Sequence, residues 1–209
     1  FFAGLGGEEA AGTPPARIGG AVGPGRGLQA ALEGIEVVAT IVCGDDYFGE
    51  HEATALARLL ELLAVEEPDI LICGPAFGSG RYGYACATLA AASPVPALAA
   101  MHEENPGVGA AHGRALIVPT AVNVAGMRDA LPRIAKLAQA LASGRELGPP
   151  EEEGYLPRGF RRNYRARKPG GERAIDLLLD KLAGEVRTEA TAGFDRVEPP
   201  PAVSDLSSA

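Results

Sequence analysis

The sequence predicts an α/β protein with a Rossmann-like open, mainly parallel sheet, helices on both faces and an extended C-terminal arm. Three observations carry that reading. Short apolar or β-branched runs alternate with helical patterns from residue 36 to residue 144. The connections between them are short, and the runs are near-continuous, without the in-out alternation of a sheet wetted on one face. Such alternation closes into right-handed crossovers over a sheet that is covered on both sides.

Taken in order, residues 1–35 contain "FFAGLGGEE" and "GGAVGPGRG" and read as a Gly/Pro-rich loop segment. The glycine cluster has no GK[ST] ending and follows no visible strand, so it is not read as a phosphate loop. From residue 36, "EVVATIVCG" is a β-branched run ending in Gly. Leu56, Leu59, Leu60 and Leu63 then recur at i, i+3, i+4 and i+7, the stripe of an amphipathic helix. Pro68 ends that helix, and "DILICGPA" supplies a second strand. An Ala-rich helix from Tyr82 to Ala92 follows, and "PVPALAAM" and "ALIVPTA" read as the third and fourth strands. Residues 123–142 place Val124, Met127, Leu131, Ile134, Ala138 and Leu141 on one stripe, with Asn123 as N-cap and Gly144 past the end.

The division that follows is a segment 1–35, an α/β core 36–144 and a region 145–209 that packs on a partner. Residues 145–170 are too irregular to pack as an element and read as an arm or binding loop. A helix carrying Ala174, Leu177, Leu178 and Leu182 comes next, closed by Gly184. The Pro-rich tail "DRVEPPPAVSDLSSA" reads as extended and lying on another surface.

Composition narrows the partners. The net charge of −8 gives no general attraction to nucleic acid or anionic membranes. The basic run Arg158, Arg161, Arg162, Arg165, Arg167 and Lys168 is a local exception, read as a solvated loop or as a face toward an acidic partner. Cys43, Cys73 and Cys86 fit neither a disulfide framework nor a zinc ribbon, so a reducing, cytoplasmic location is expected. No apolar stretch approaches the ~20 residues that span a bilayer, and no basic-then-apolar signal opens the chain.

In open α/β sheets ligands gather beyond the carboxyl ends of the strands, which singles out four loops. "CGDDYF" places Cys43, Gly44, Asp45 and Asp46 at the first strand end. The carboxylates there can hold an ammonium, bind a cation or exchange a proton, or simply favour a helix N-terminus. Cys43 is the thiol placed to react if exposed. "CGPAFGSGRYG" forms a tight loop with Phe77, Gly78 and Ser79, then Arg81 and Tyr82. The Arg fork and the helix-start N–H groups suit a carboxylate, unless Arg81 pairs with an acid of the protein such as Glu103. "MHEENPG" brings His102, Glu103, Glu104 and Asn105, fit for acid/base work or, in an ordinary turn, for none. The fourth loop is "PTAVN".

Together, "FFAGLGGEE", "VGPG", "TIVCGDDYF", "GPAFGSGRYG", "MHEENPG", "EEGYLPRG", "RAIDLLLDKL" and "SDLSSA" resemble the N-terminal half of the component B subunit of glycine, sarcosine and betaine reductases, the selenoprotein B type. The motifs cover most of the chain. The resemblance implies a substrate pocket built from Asp45, Arg81, Tyr82, Glu103 and Asn105, with Cys43, Asp45 and Glu103 in catalytic roles. Gly44, Phe77, Ser79, Arg81, Tyr82, His102 and Asn105 would bind substrate, a small carboxylate or amino acid. It implies no cofactor on this chain. A redox Cys or selenocysteine would lie on the C-terminal portion of the family protein, and a pyruvoyl group on a companion subunit. The family commonly carries Asn where this chain has Gly78.

The ending at "DLSSA" suggests that the C-terminal half is a separate chain from a split gene or a cleavage, so the expected partners are that half and a companion reductase subunit. Two other readings stand beside this one: a non-catalytic scaffold subunit of a biosynthetic complex, and a metal-dependent isomerase-like domain using His102, Glu103 and Asp45.

Overall fold

The protein is described by a computed structural model covering residues 10–111, 113–157, 168 and 170–185. The opening motif "FFAGLGGEE", the arginines between 158 and 167, and the tail from 186 onward lie outside the described residues. The chain divides into two units, 1–160 and 161–209.

In the first unit, β3 (Leu71–Cys73), β4 (Ala97–Met101) and β5 (Leu116–Pro119) form a parallel sheet in the order β3-β4-β5. Leu98 stands opposite both Ile72 and Leu116. Two crossovers build this sheet. Helix α4 (Gly80–Ala92) joins β3 to β4, and α5 (Pro106–Ala110) lies between β4 and β5. The expected α/β architecture with parallel pairing is therefore present.

Burial follows the strand period of two. Cys73, Ala99, Met101 and Ile117 join one core with α4 and α3 (Glu52–Glu66). Leu98, Ala100, Leu116 and Val118 join the other, against α6 (Met127–Ala142) and α1 (Pro24–Ala31). Because β4 is clothed on both faces, its last four residues, Leu98 to Met101, are 0% exposed. That burial explains why its sequence is a run of small and apolar residues with no polar alternation.

Two parts depart from the sequence reading. The segment 1–35 was expected as loop, but it contains β1 (Ala16–Gly19) and α1. Strand β1 pairs antiparallel with β2 (Ala39–Val42), Arg17 facing Ile41, a pairing that the expectation of a mainly parallel sheet accommodates. Residues 145–157 were expected as an irregular arm, but they pack on the core. The one-turn helix α7 (Pro150–Glu153) is followed by Tyr155 and Leu156, one in each core, and the Leu156 N–H donates to the Ile117 carbonyl at 2.8 Å. The second unit contains α8 (Gly170–Leu182), and Gly184 past its end has φ of 87°. Among the described residues no helix is long and apolar enough to cross a membrane.

Glu153 anchors the α7 turn. Its carboxylate accepts from Arg145 Nη2 at 2.9 Å and from the Gly148 N–H at 3.3 Å. The Arg145 bond chiefly, with the Gly148 bond behind it, lowers the Glu153 carboxyl from 4.5 to about 2. A depressed folded-state carboxyl stabilises above its unfolded value, and that contribution is lost as pH falls from about 4.5 toward about 2. Melting temperature measured against pH is expected to fall across that window. Glu153→Gln is expected to melt lower at neutral pH and to flatten the acid limb.

Candidate functional site

The carboxyl ends of β2 and β3 meet at one rim. Strand β2 ends at Val42, and Gly44, the N-cap, turns the chain into the short helix α2 (Asp45–Glu50), so Asp45 and Asp46 occupy its first turn. Strand β3 ends in the loop 74–79, which leads into α4 with Arg81 as its second residue. The Arg81 Nε donates to Asp45 Oδ2 at 3.4 Å, and Nη1 lies 2.9 Å from Asp46 Oδ1. The acids that Arg81 pairs with are thus these two and not Glu103.

The pairing is asymmetric. Arg81 is 70% exposed, Asp46 43% and Asp45 only 4%. Asp45 Oδ1 is buried and accepts from no donor among the described residues. A buried carboxylate oxygen without a donor is costly, and a ligand N–H or a backbone N–H would relieve it. The three charges sum to −1, which suits a zwitterion, its cationic end toward the aspartates and its carboxylate toward the guanidinium.

A pocket of about 380 Å³ opens here, walled by Asp45, Phe48, Gly49, Gly80, Arg81, Tyr84 and Pro106. Two of its walls were not among the sequence candidates. Phe48 is three residues after Asp45, and Tyr84 three after Arg81, the spacing that puts neighbours on one helix face and would have marked both. The Tyr84 hydroxyl donates to Glu52, and its ring meets Phe48 edge-on at 6.5 Å.

The remaining candidates spread out. Asn105 is 4% exposed and fully engaged. Its Nδ2 donates to the carbonyls of Phe77 and Ser79, both at 3.0 Å, and its Oδ1 caps α5 by accepting from the Gly107 N–H at 2.9 Å. It is a clamp that fixes the loop ahead of Arg81. The clamp requires α4 and α5 to touch: a Cβ on Gly83 would lie 2.2 Å from Asn105 Oδ1, and one on Gly107 2.3 Å from the Gly83 carbonyl. Phe77, held at φ 51° with its carbonyl also taking the His102 N–H at 2.9 Å, is buried in the core. Tyr82 is likewise buried, and burial pushes its hydroxyl well above the ordinary value. Glu103 and Glu104 are exposed, the Glu104 N–H donating to His102 Nδ1 at 3.3 Å. Ser79 is exposed at the start of α4, with no side-chain cap bond.

None of the three thiols has thiolate character. Burial, assisted by the Asp45 charge, pushes Cys43 from 9.0 up to about 11. Cys86 is pushed to about 11 and Cys73 well upward, both by burial. Each pH unit is tenfold in thiolate fraction, so Cys43 is expected to react with iodoacetamide at pH 8 about 100-fold more slowly than an ordinary thiol. Site-resolved mass spectrometry of the native protein measures it. Among the described residues no three His, Cys, Asp or Glu side chains cluster as metal ligands would, so His102, Glu103 and Asp45 form no ligand set.

Comparison with known proteins decides the family. The family model described as glycine/sarcosine/betaine reductase selenoprotein B matches residues 1–209. The chain belongs to this family. It is similar to the sarcosine reductase complex component B subunit beta of Peptoclostridium acidaminophilum, 47% identical over 214 residues and covering 99% of this chain and 49% of the relative. It resembles the glycine reductase complex component B subunit gamma of Carboxydothermus hydrogenoformans, 44% identical over 216 residues, covering 100% and 50%. It resembles equally the betaine reductase complex component B subunit beta of P. acidaminophilum, 39% identical over 217 residues, covering 100% and 50%. The chain thus spans about half the length of the curated relatives that it matches in the selenoprotein B family. No solved structure matches it.

Proposed function

We propose that this chain is the substrate-gripping half of a component B subunit in a glycine, sarcosine or betaine reductase-type complex. The observation that carries the reading is the Asp45–Arg81–Asp46 cluster over an open pocket at the strand ends. The substrates named by the relatives share one pattern, a carboxylate one carbon away from a cationic nitrogen. Arg81 offers a planar fork for the carboxylate, and the aspartates offer anionic acceptors for the nitrogen end. Because Asp45 is buried, its interaction with that end is screened less than one at the surface. Phe48 and Tyr84 present apolar and aromatic walls that exclude water from one side of the bound molecule.

The reductive cleavage of the carbon–nitrogen bond needs two electrons, which a thiol or selenol on the C-terminal portion of the family protein, paired with a second thiol and oxidised with it to a disulfide or selenenyl sulfide, would supply as the nitrogen leaves as ammonia or amine. With Cys43, Cys73 and Cys86 protonated at neutral pH, this chain's part is to bind and orient. Reconstitution with that portion and the companion subunits tests the proposal. Dithiol-dependent turnover of glycine, sarcosine or betaine is expected. A complete complex that turns over none of them overturns the reading in favour of a scaffold role.

A further inference from the structure

The rim pocket has two unlike sides. One is anionic: Asp45 lines it, joined through the Arg81 fork to Asp46 beside it. The other is apolar, made of Phe48 from α2, Tyr84 from α4 and Pro106 from α5. Phe48 and Pro106 carry no side-chain acceptor. The Tyr84 hydroxyl is engaged with Glu52 at 3.2 Å, and its ring stands edge-on to Phe48 at 6.5 Å.

Two glycines leave room between these sides. Gly49 stands four residues after Asp45, and Gly80 four before Tyr84, one turn away on the same face of its helix. A Cβ built on Gly49 meets no heavy atom within 4 Å, and one on Gly80 meets only Pro106, at 3.5 Å. Neither glycine has a positive φ. A tight turn therefore requires neither of them, and neither is held by close packing. Alanine would favour α2 more than Gly49 does. What Gly49 provides is space beside Asp45.

Resting on the assignment of this rim as the substrate seat, we propose that the pocket selects a secondary ammonium, an amino acid with one N-methyl group, over a free amine or a quaternary nitrogen. A donor count separates the three. A primary ammonium placed against the aspartates turns its third N–H toward the apolar side, where it loses water and gains no side-chain acceptor. A quaternary nitrogen has no N–H, so it gives Asp45 a charge but no hydrogen bond, although that side chain is only 4% exposed. A secondary ammonium has two N–H groups for Asp45 and Asp46, each of which keeps lone pairs beyond the one that Arg81 takes, and its methyl group covers the Phe48–Tyr84–Pro106 side. The aromatic rings favour the cationic nitrogen as well.

Titration calorimetry of the assembled component B with glycine, sarcosine and betaine reads the selection directly. Sarcosine, the N-methylated member, is expected to bind at least about 10-fold more tightly than either of the others. Gly49→Leu extends a side chain from the open position beside Asp45 and keeps a good helix former in α2. It is expected to assemble normally, to weaken sarcosine at least about 10-fold and to change glycine affinity less than about threefold. Glycine or betaine binding as tightly as sarcosine overturns the proposal and leaves the substrate seat standing. So does an assembled Gly49→Leu that binds sarcosine as the native complex does. If none of the three binds to the native complex, the assignment of the rim fails and the proposal with it. The native ranking decides the matter even if Gly49→Leu does not assemble.

Discussion

Replacing Arg81 with Ala in the assembled complex is expected to reduce turnover at least about 100-fold while leaving assembly and folding intact. The argument is electrostatic. Arg81 is the cation that faces Asp45 and Asp46 at the rim, and its side chain is mostly exposed, so its removal opens no core. Without it the pocket changes from a mixed-charge site to two adjacent carboxylates, which repel a substrate carboxylate. A factor of 100 corresponds to about 2.7 kcal/mol, within what a charged hydrogen bond to a ligand supplies. Arg81→Lys should recover only part of the loss, because a point charge cannot bridge two carboxylates and a ligand as the guanidinium fork does. Steady-state kinetics separates these outcomes, and a native mass measurement checks assembly.

The largest effect on stability is expected at Asn105. Asn105→Ala removes one of two donors from each of the carbonyls of Phe77 and Ser79, which keep the His102 and Gly83 N–H groups, and removes the acceptor of the Gly107 N–H. The Gly107 N–H left without a partner costs about 1–3 kcal/mol and each of the two lost hydrogen bonds about 0.5–1.5 kcal/mol, so a total of about 2–5 kcal/mol is expected. For a chain of this size that is a fall of roughly 10 °C in Tm by calorimetry. Asn105→Asp sharpens the test. It keeps the acceptor for Gly107 but sets a carboxylate against two carbonyls, so it should be at least as damaging as Ala although it is nearly isosteric. A loss of activity without a loss of stability in either variant would instead place the side chain on the substrate.

Much of the fold was legible because burial on both faces leaves a plain pattern. The strands around Ala39–Val42, Leu71–Cys73, Ala97–Met101 and Leu116–Pro119 read as short apolar runs, and α3 and α6 as leucine stripes. Asn123 does cap the chain before α6, its Oδ1 taking the Ala125 N–H at 3.0 Å, through a 3₁₀ turn (Val124–Gly126) that precedes the α-helix. Strand β1 and helix α1 were hidden for a physical reason. The strand is four residues long and contains an arginine, and the helix contains Gly25 and Gly27, which lower its propensity. Gly27 lies close to α6, where an added Cβ would come within 2.7 Å of Leu131 Cδ1, a tertiary contact that no local pattern displays.

The site was legible to a similar degree. The rule that ligand residues follow strand ends singled out Asp45 and Arg81 as candidates from sequence alone, and the structure brings those two side chains into contact. The same rule proposed Glu103, which lies exposed on the loop after β4 and joins no ion pair with Arg81. What the rule lacks is side-chain direction. Asn105, two residues later, turns inward to serve the backbone, and Tyr82, next to Arg81, faces the core. Phe48 and Tyr84 escaped because they appear as ordinary aromatic residues until the i,i+3 relation to Asp45 and Arg81 is drawn.

The most direct test of the rim as the seat of the substrate is calorimetric titration of the assembled component B with glycine, sarcosine and betaine, comparing native protein with Arg81→Ala and Asp45→Asn. Binding of at least one of the three by the native complex is expected, weakened at least about 100-fold in both variants. Undiminished affinity in Arg81→Ala would place the carboxylate elsewhere and contradict the account.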